Sequence, residues 1–259
     1  ILSGKMDKYS LKMLLRSIRS SLGRYLAILA IVALGVGIFA GLKSSQPAMQ
    51  STVDEYMRDN RMFDFQLMSS LGLTESDRAA FAQLDGVKYA EGAYGVDAMA
   101  AVGKTEEPYR FMSVTENVAV PLLVAGRMPE TDGECLADAG AFSEKDIGKT
   151  VQLSEDNDAD TLDMFTSRSY KIVGIAKSPR YISNDRGSTS LGSGSLKGFI
   201  ILPAAAFNSE VYHEILLYCN FDGALFSSEY DTARDKLKPR IQQLLNRCGA
   251  RRYETLRAE

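Results

Sequence analysis

The chain has 259 residues, 45% of them hydrophobic and 24% charged, with a formal net charge of −3 at pH 7. This is the ordinary globular range, and the negative balance argues against nucleic acid as a partner. Three cysteines, Cys135, Cys219 and Cys248, form no C-x-x-C pair, which argues against a disulfide scaffold and a zinc site but leaves room for one bridge.

The leader comes first. Leu11, Leu14, Leu15, Ile18 and Leu22 recur at helical spacing with Lys12 and Arg16 beside them, which predicts an interfacial amphipathic helix over residues 1–23. Such a helix lies on membrane lipid with its basic side chains reaching the phosphates; a plain basic leader is the simpler alternative.

A membrane-spanning helix is expected over residues 24–43, because Tyr25 to Leu42 carry no charge. At 1.5 Å per residue the run and its flanks reach about 30 Å, the depth of a bilayer's hydrocarbon core. A cleaved signal peptide fits poorly: the apolar run is long, and the possible junctions place Phe39, Leu42 or Lys43 where a small residue is needed. Six basic residues and Asp7 precede or begin the span, a local charge of +5, so the N-terminus is expected in the cytoplasm and the bulk of the chain outside the cell. With Lys43 included, residues 44–259 are left with −9, an acidic exterior unsuited to anionic lipid. Ala33, Gly37 and Gly41 repeat every fourth residue, a face along which a second helix can pack closely.

Beyond Lys43 helical spacing resumes, with Met49, Val53, Tyr56 and Met57 on one side, predicting a helical stalk over residues 44–61. Pro47 is acceptable in the first turn of such a helix.

Residues 62–259 read as a mixed α/β extracytoplasmic domain, α+β in class and with room for two subdomains. Strands are expected at Asp64 to Ser69, Val87 to Val102, Tyr109 to Val114, Glu134 to Ala137, Thr150 to Leu153, Tyr170 to Lys177, Phe199 to Leu202 and Val211 to Phe221. Thr74, with Asp77 three residues on, announces a helix that ends before Gly86, and Ser228 to Arg247 reads as a last helix with Leu237, Ile241, Leu244 and Leu245 inward. The acidic stretch Glu155 to Asp163 and the glycine- and serine-rich stretch Arg180 to Gly198 read as loops.

Three motifs invite chemistry and fall short of it. Gly148-Lys149-Thr150 and Gly103-Lys104-Thr105 look like the end of a P-loop, but Ser143 and Ala98 stand where its first glycine belongs and no helix follows. Asp156, Asp158 and Asp160 alternate as in a calcium loop, yet Thr161 and Ser167 replace its glycine and bidentate glutamate. The single histidine, His213, sits in an apolar run and reads as a strand residue. No catalytic, cofactor-binding or metal-binding residue is assigned, and no enzyme activity is expected of this chain.

Four stretches in order carry a resemblance. They are Arg16 to Ile28 running into Leu34-Gly35-Val36-Gly37; Leu123 to Pro129 with Glu134 and Ile147-Gly148; Lys171 to Ile182; and Arg186 to Gly194. Taken together, the chain resembles the FtsX-like permeases of ABC transporters with a MacB-type periplasmic core domain, in particular the large permeases of Gram-positive bacteria. The resemblance implies a core domain inserted between two membrane helices, a separate cytoplasmic ABC ATPase as partner, and a second permease copy or homologue. It also implies that a chain from Ile1 to Glu259 is an N-terminal fragment of a longer permease. A single-pass receptor or adhesion protein shares the span and orientation, and an FtsX-type regulator of cell-wall hydrolases shares the whole architecture.

Overall fold

The computed structural model describes Met13, Arg16 and residues 22–258, so the interfacial helix expected over residues 1–23 falls almost wholly outside the described residues. The chain divides into two compact units, Ile1–Val53 and Asp54–Glu259.

Helix α1, Leu22–Asp59, begins in the first unit and is long and apolar enough to cross a membrane. A helix satisfies every backbone polar group within itself, which is what hydrocarbon demands. Pro47 lies inside α1 and does not open a separate stalk helix. Lacking an N–H, Pro47 leaves the Lys43 carbonyl without its usual helical donor. Two residues before Lys43, the Gly41 carbonyl accepts both the Ser44 and the Ser45 hydroxyl, at 3.1 and 2.8 Å.

The second unit contains two sheets. Strands β1 (Phe65–Leu73), β10 (Tyr212–Cys219) and β2 (Val87–Ala93) form an antiparallel three-stranded sheet with β10 in the centre. Helices α2 (Glu75–Ala82) and α4 (Ser228–Ala258) cover one face. Because strand side chains alternate, Ile215, Leu217 and Cys219 meet Phe81, Leu237 and Ile241 from these helices, while Leu216 points the other way against Ala93, Val118 and Ala119. α2 starts as its sequence announces: Thr74 and Asp77 form a reciprocal capping box.

The other sheet runs β5 (Leu122–Gly126), β8 (Ser169–Lys177), β6 (Glu134–Asp138), β9 (Gly198–Leu202), β4 (Thr105–Ser113), β3 (Gly95–Val102) and β7 (Thr150–Leu153). β7 pairs again with the start of β8, so six of these strands close into a barrel and β5 takes the remaining length of the same β8 edge. Pairs β4–β9 and β6–β8 are parallel and the others antiparallel. Phe111, Tyr170, Ile172, Ile200, Leu202 and Phe165 fill the interior. Outside the barrel wall Leu136, Phe199 and Ile201 are also buried, beside Tyr181 of the glycine-rich stretch.

Several elements differ from the sequence expectation. The run from Val87 to Val102 is two strands broken at Tyr94, which takes the chain from one sheet to the other. β5 was not expected, the acidic stretch contains a short helix α3 (Ala159–Asp163), and α4 continues to Ala258.

Candidate functional site

Where α1 ends, within the second unit, it meets the end of β10 and the start of α4. The termination is a Schellman motif: the Met62 N–H reaches the Met57 carbonyl at 2.8 Å and the Arg61 N–H reaches the Arg58 carbonyl at 3.0 Å. Arg61 takes the left-handed position with φ 46°, a conformation that usually selects glycine, and its guanidinium lies 5.5 Å from the Tyr89 ring centre.

Two carboxylates fasten this end. Asp54 pairs with Arg58 one turn on at 3.0 Å and also accepts the Leu225 N–H at 2.6 Å, while Arg58 donates to the Gly223 carbonyl. Asp64, just past the helix, accepts the Tyr230 hydroxyl and the Cys219 N–H, both at 2.6 Å. Burial pushes the Asp64 carboxyl above its ordinary range, with these donors and nearby arginines pulling the other way. Met57, Met62, Tyr218 and Phe221 line the small cleft beneath. These bonds tie the end of α1, the start of β1, the end of β10 and the start of α4 together.

A second tie joins the two sheets. Arg180, leaving β8, grips Glu214 of β10 with two bonds of 2.6 and 2.9 Å, and Glu214 also accepts Gln66 from β1. The Arg180 and Glu214 side chains are 17% and 6% exposed, so this pair sits largely out of water. Arg186 holds buried Asp138 at the end of β6 and stacks near Tyr181 and Phe199, which pins the glycine-rich stretch to the barrel wall.

The residues marked in the sequence fall as follows. Ala33, Gly37 and Gly41 lie exposed on α1, and a Cβ at either glycine would meet nothing within 4 Å. Pro47 is exposed, while Val53 and Tyr56 are half-buried towards the end of the helix. The anchoring residues Asp54, Arg58, Asp64, Arg180 and Glu214 were not singled out. Only Asp54 and Arg58 carried a signal, the four-residue spacing of a helical ion pair.

The resembling stretches have local structural roles. Gly126 has φ +80° and packs so tightly on β8 that a Cβ there would stand 2.3 Å from the Val173 carbonyl oxygen. Arg127 pairs with Glu134, and this contact together with the Glu130 N–H holds the Glu134 carboxyl down at about 2. Lys149 of the first P-loop fragment pairs with Asp146 at 2.7 Å. Gly103-Lys104 of the second is the two-residue turn between β3 and β4, with Gly103 at φ +71° as a type II′ turn requires. Asp158 caps α3 by accepting the Thr161 N–H at 2.7 Å. His213 Nδ1 lies 3.1 Å from the Gly95 N–H, in the sheet-to-sheet crossing. All three cysteines are free and buried, so the single bridge left open by the sequence is not formed. Burial raises the Cys135 and Cys219 thiols well above their ordinary values.

No family model matches this chain, and no curated protein does. Solved structures similar to it include the extracellular domain of the noncanonic ABC-type transporter YknZ from Gram-positive bacteria, with TM-score 0.38 and 14% identity over 64% of this chain and 80% of that one. The periplasmic region of MacB from Actinobacillus actinomycetemcomitans gives TM-score 0.41 and 14% identity over 70% and 76% of the two chains. A domain of a permease protein from Porphyromonas gingivalis gives 0.38 and 13% over 70% and 77%.

Proposed function

We propose that the chain serves in the membrane permease subunit of an ABC transporter of FtsX/MacB type. Its N-terminus lies in the cytoplasm, its domain lies outside the cell, and a separate cytoplasmic ATPase moves that domain for export or mechanotransmission. The observation that carries this reading is the fastening of α1: an apolar helix whose last turns are held by Asp54, Arg58 and Asp64 suits a part that transmits displacement. A tether needs no such grip. The ordered resemblance of the four sequence stretches supports the family, and the +5 leader supports the orientation. The open face of Ala33, Gly37 and Gly41 suits a neighbouring span, from the same permease or from a second copy.

The test is a stiffness test. Two glycines inserted after Ser51 weaken the helix locally by about 2 kcal/mol. In the full-length permease with its ATPase, the insertion should leave the domain folded and the ATPase bound while abolishing the physiological output. Normal output would make α1 a tether and favour a receptor or adhesion protein.

A further inference from the structure

The charge of −9 over residues 44–259 hides a strong local excess of the opposite sign. Residues 236–257, the larger part of α4, contain seven basic side chains and only Glu254 as an acid, +6 against −15 for the remainder. At 100° per residue, Lys236, Arg240, Arg247 and Arg257 fall within an arc of about 100°, on the side of the helix away from Leu237, Ile241 and Cys248. All four are exposed, and among the described residues none of them has an ion-pair partner. Asp85 and Asp222 do share a cleft with Lys236 and Arg240, but outside ion-pairing range. By contrast Arg251 is engaged with Asp77 and Arg252 reaches the Leu71 carbonyl, so those two serve the fold. The helix dipole favours a cation in the last turn, which accounts for Arg257 and not for Lys236, nearly six turns earlier. Tyr253, beside the stripe at Arg257, is also exposed (58%), a residue type that settles at a bilayer's polar boundary.

We propose that this face of α4 docks on an anionic phospholipid surface, with Lys236, Arg240, Arg247 and Arg257 contacting headgroup phosphates and Tyr253 entering the interface. Charge complementarity selects the partner: four unpaired cations on one face of α4 are attracted to a sheet of phosphates. The inference does not depend on the transporter reading, since any protein anchored by α1 has a bilayer at hand.

The test uses the full chain with Gln243→Cys, a position on the same face, carrying a bimane; the native thiols are buried. It is reconstituted in nanodiscs of phosphatidylcholine containing a headgroup nitroxide lipid, with or without phosphatidylglycerol. Quenching should rise when phosphatidylglycerol is present and return to the phosphatidylcholine level in the K236E/R240E/R247E variant. The neutral K236Q/R240Q/R247Q variant should fall between, and a bimane at Gln152→Cys on β7 should not respond. Thermal melts confirm that the variants remain folded. Equal quenching in the two lipids, or an unchanged signal in the charge-reversed variant, would overturn the proposal. So would a probe that responds to a soluble glycerol phosphate polymer and not to the lipid, which would assign the stripe to a wall polyanion.

Discussion

Removing Arg180 tests how the two sheets of the unit Asp54–Glu259 are held together. Its guanidinium makes both bonds to Glu214, at 2.6 and 2.9 Å, and lies 5.6 Å from the Phe63 ring centre. In Arg180→Ala the Glu214 carboxylate, 6% exposed, keeps only Gln66 as a side-chain donor. An uncompensated buried charge of this kind costs about 3 kcal/mol. For a domain of this size that lowers Tm by roughly 10 °C. Urea unfolding followed by circular dichroism, with the chain in detergent, measures the loss. The same substitution beside Glu214→Gln should lose less, by about 1 kcal/mol or more, because no bare charge remains. A loss in Arg180→Ala below about 0.5 kcal/mol, the range of ordinary surface changes, would refute the reasoning.

Three further outcomes follow from the joint, the topology and the failed motifs. Asp64 is raised by burial, so it binds its proton more tightly folded than unfolded; its contribution is full below the ordinary Asp value of about 3.9 and is lost as pH rises through the elevated one. Asp64→Asn, which cannot titrate, should flatten that part of the stability–pH curve, and an unchanged curve would contradict the assignment. Because the native thiols are buried, orientation is read with Lys104→Cys on the exposed β3–β4 turn. A membrane-impermeant maleimide should label it in intact cells, and labelling only after lysis would reverse the topology. Calorimetric titration with Mg-ATP should give no saturable heat, since Lys149 is in an ion pair and Lys104 in a hairpin turn; a signal lost on Lys149→Ala would reopen the enzyme reading.

What could be read in the sequence was whatever depends on near neighbours. The Thr74–Asp77 box, the apolar run of α1 and the inward Leu237 and Ile241 of α4 each follow from spacings of three, four or a single long run. β5 escaped because Leu122, Leu123 and Val124 are all exposed, so no alternation marks the strand. α3 has only five residues, too few to show a period. α4 was expected only as far as Arg247, where its inward leucines stop, yet Arg251 and Arg252 hold its last turns to Asp77 and Leu71. The joint and the inter-sheet tie stayed hidden for a different reason. Glu214 is 34 residues from Arg180, and Tyr230 is 166 from Asp64, distances over which one sequence gives no pairing signal.

The central claim is that α1 passes ATP-driven movement into the outer domain. The direct measurement is hydrogen exchange of the full-length permease with its ATPase, with and without ATP and vanadate. Amides of residues 57–64 and 218–230, which make up the joint, should change protection when nucleotide is trapped, and two glycines inserted after Ser51 should abolish that change while ATP hydrolysis continues. Protection in the joint that is the same with and without nucleotide, or a nucleotide response that survives the insertion, would contradict the account.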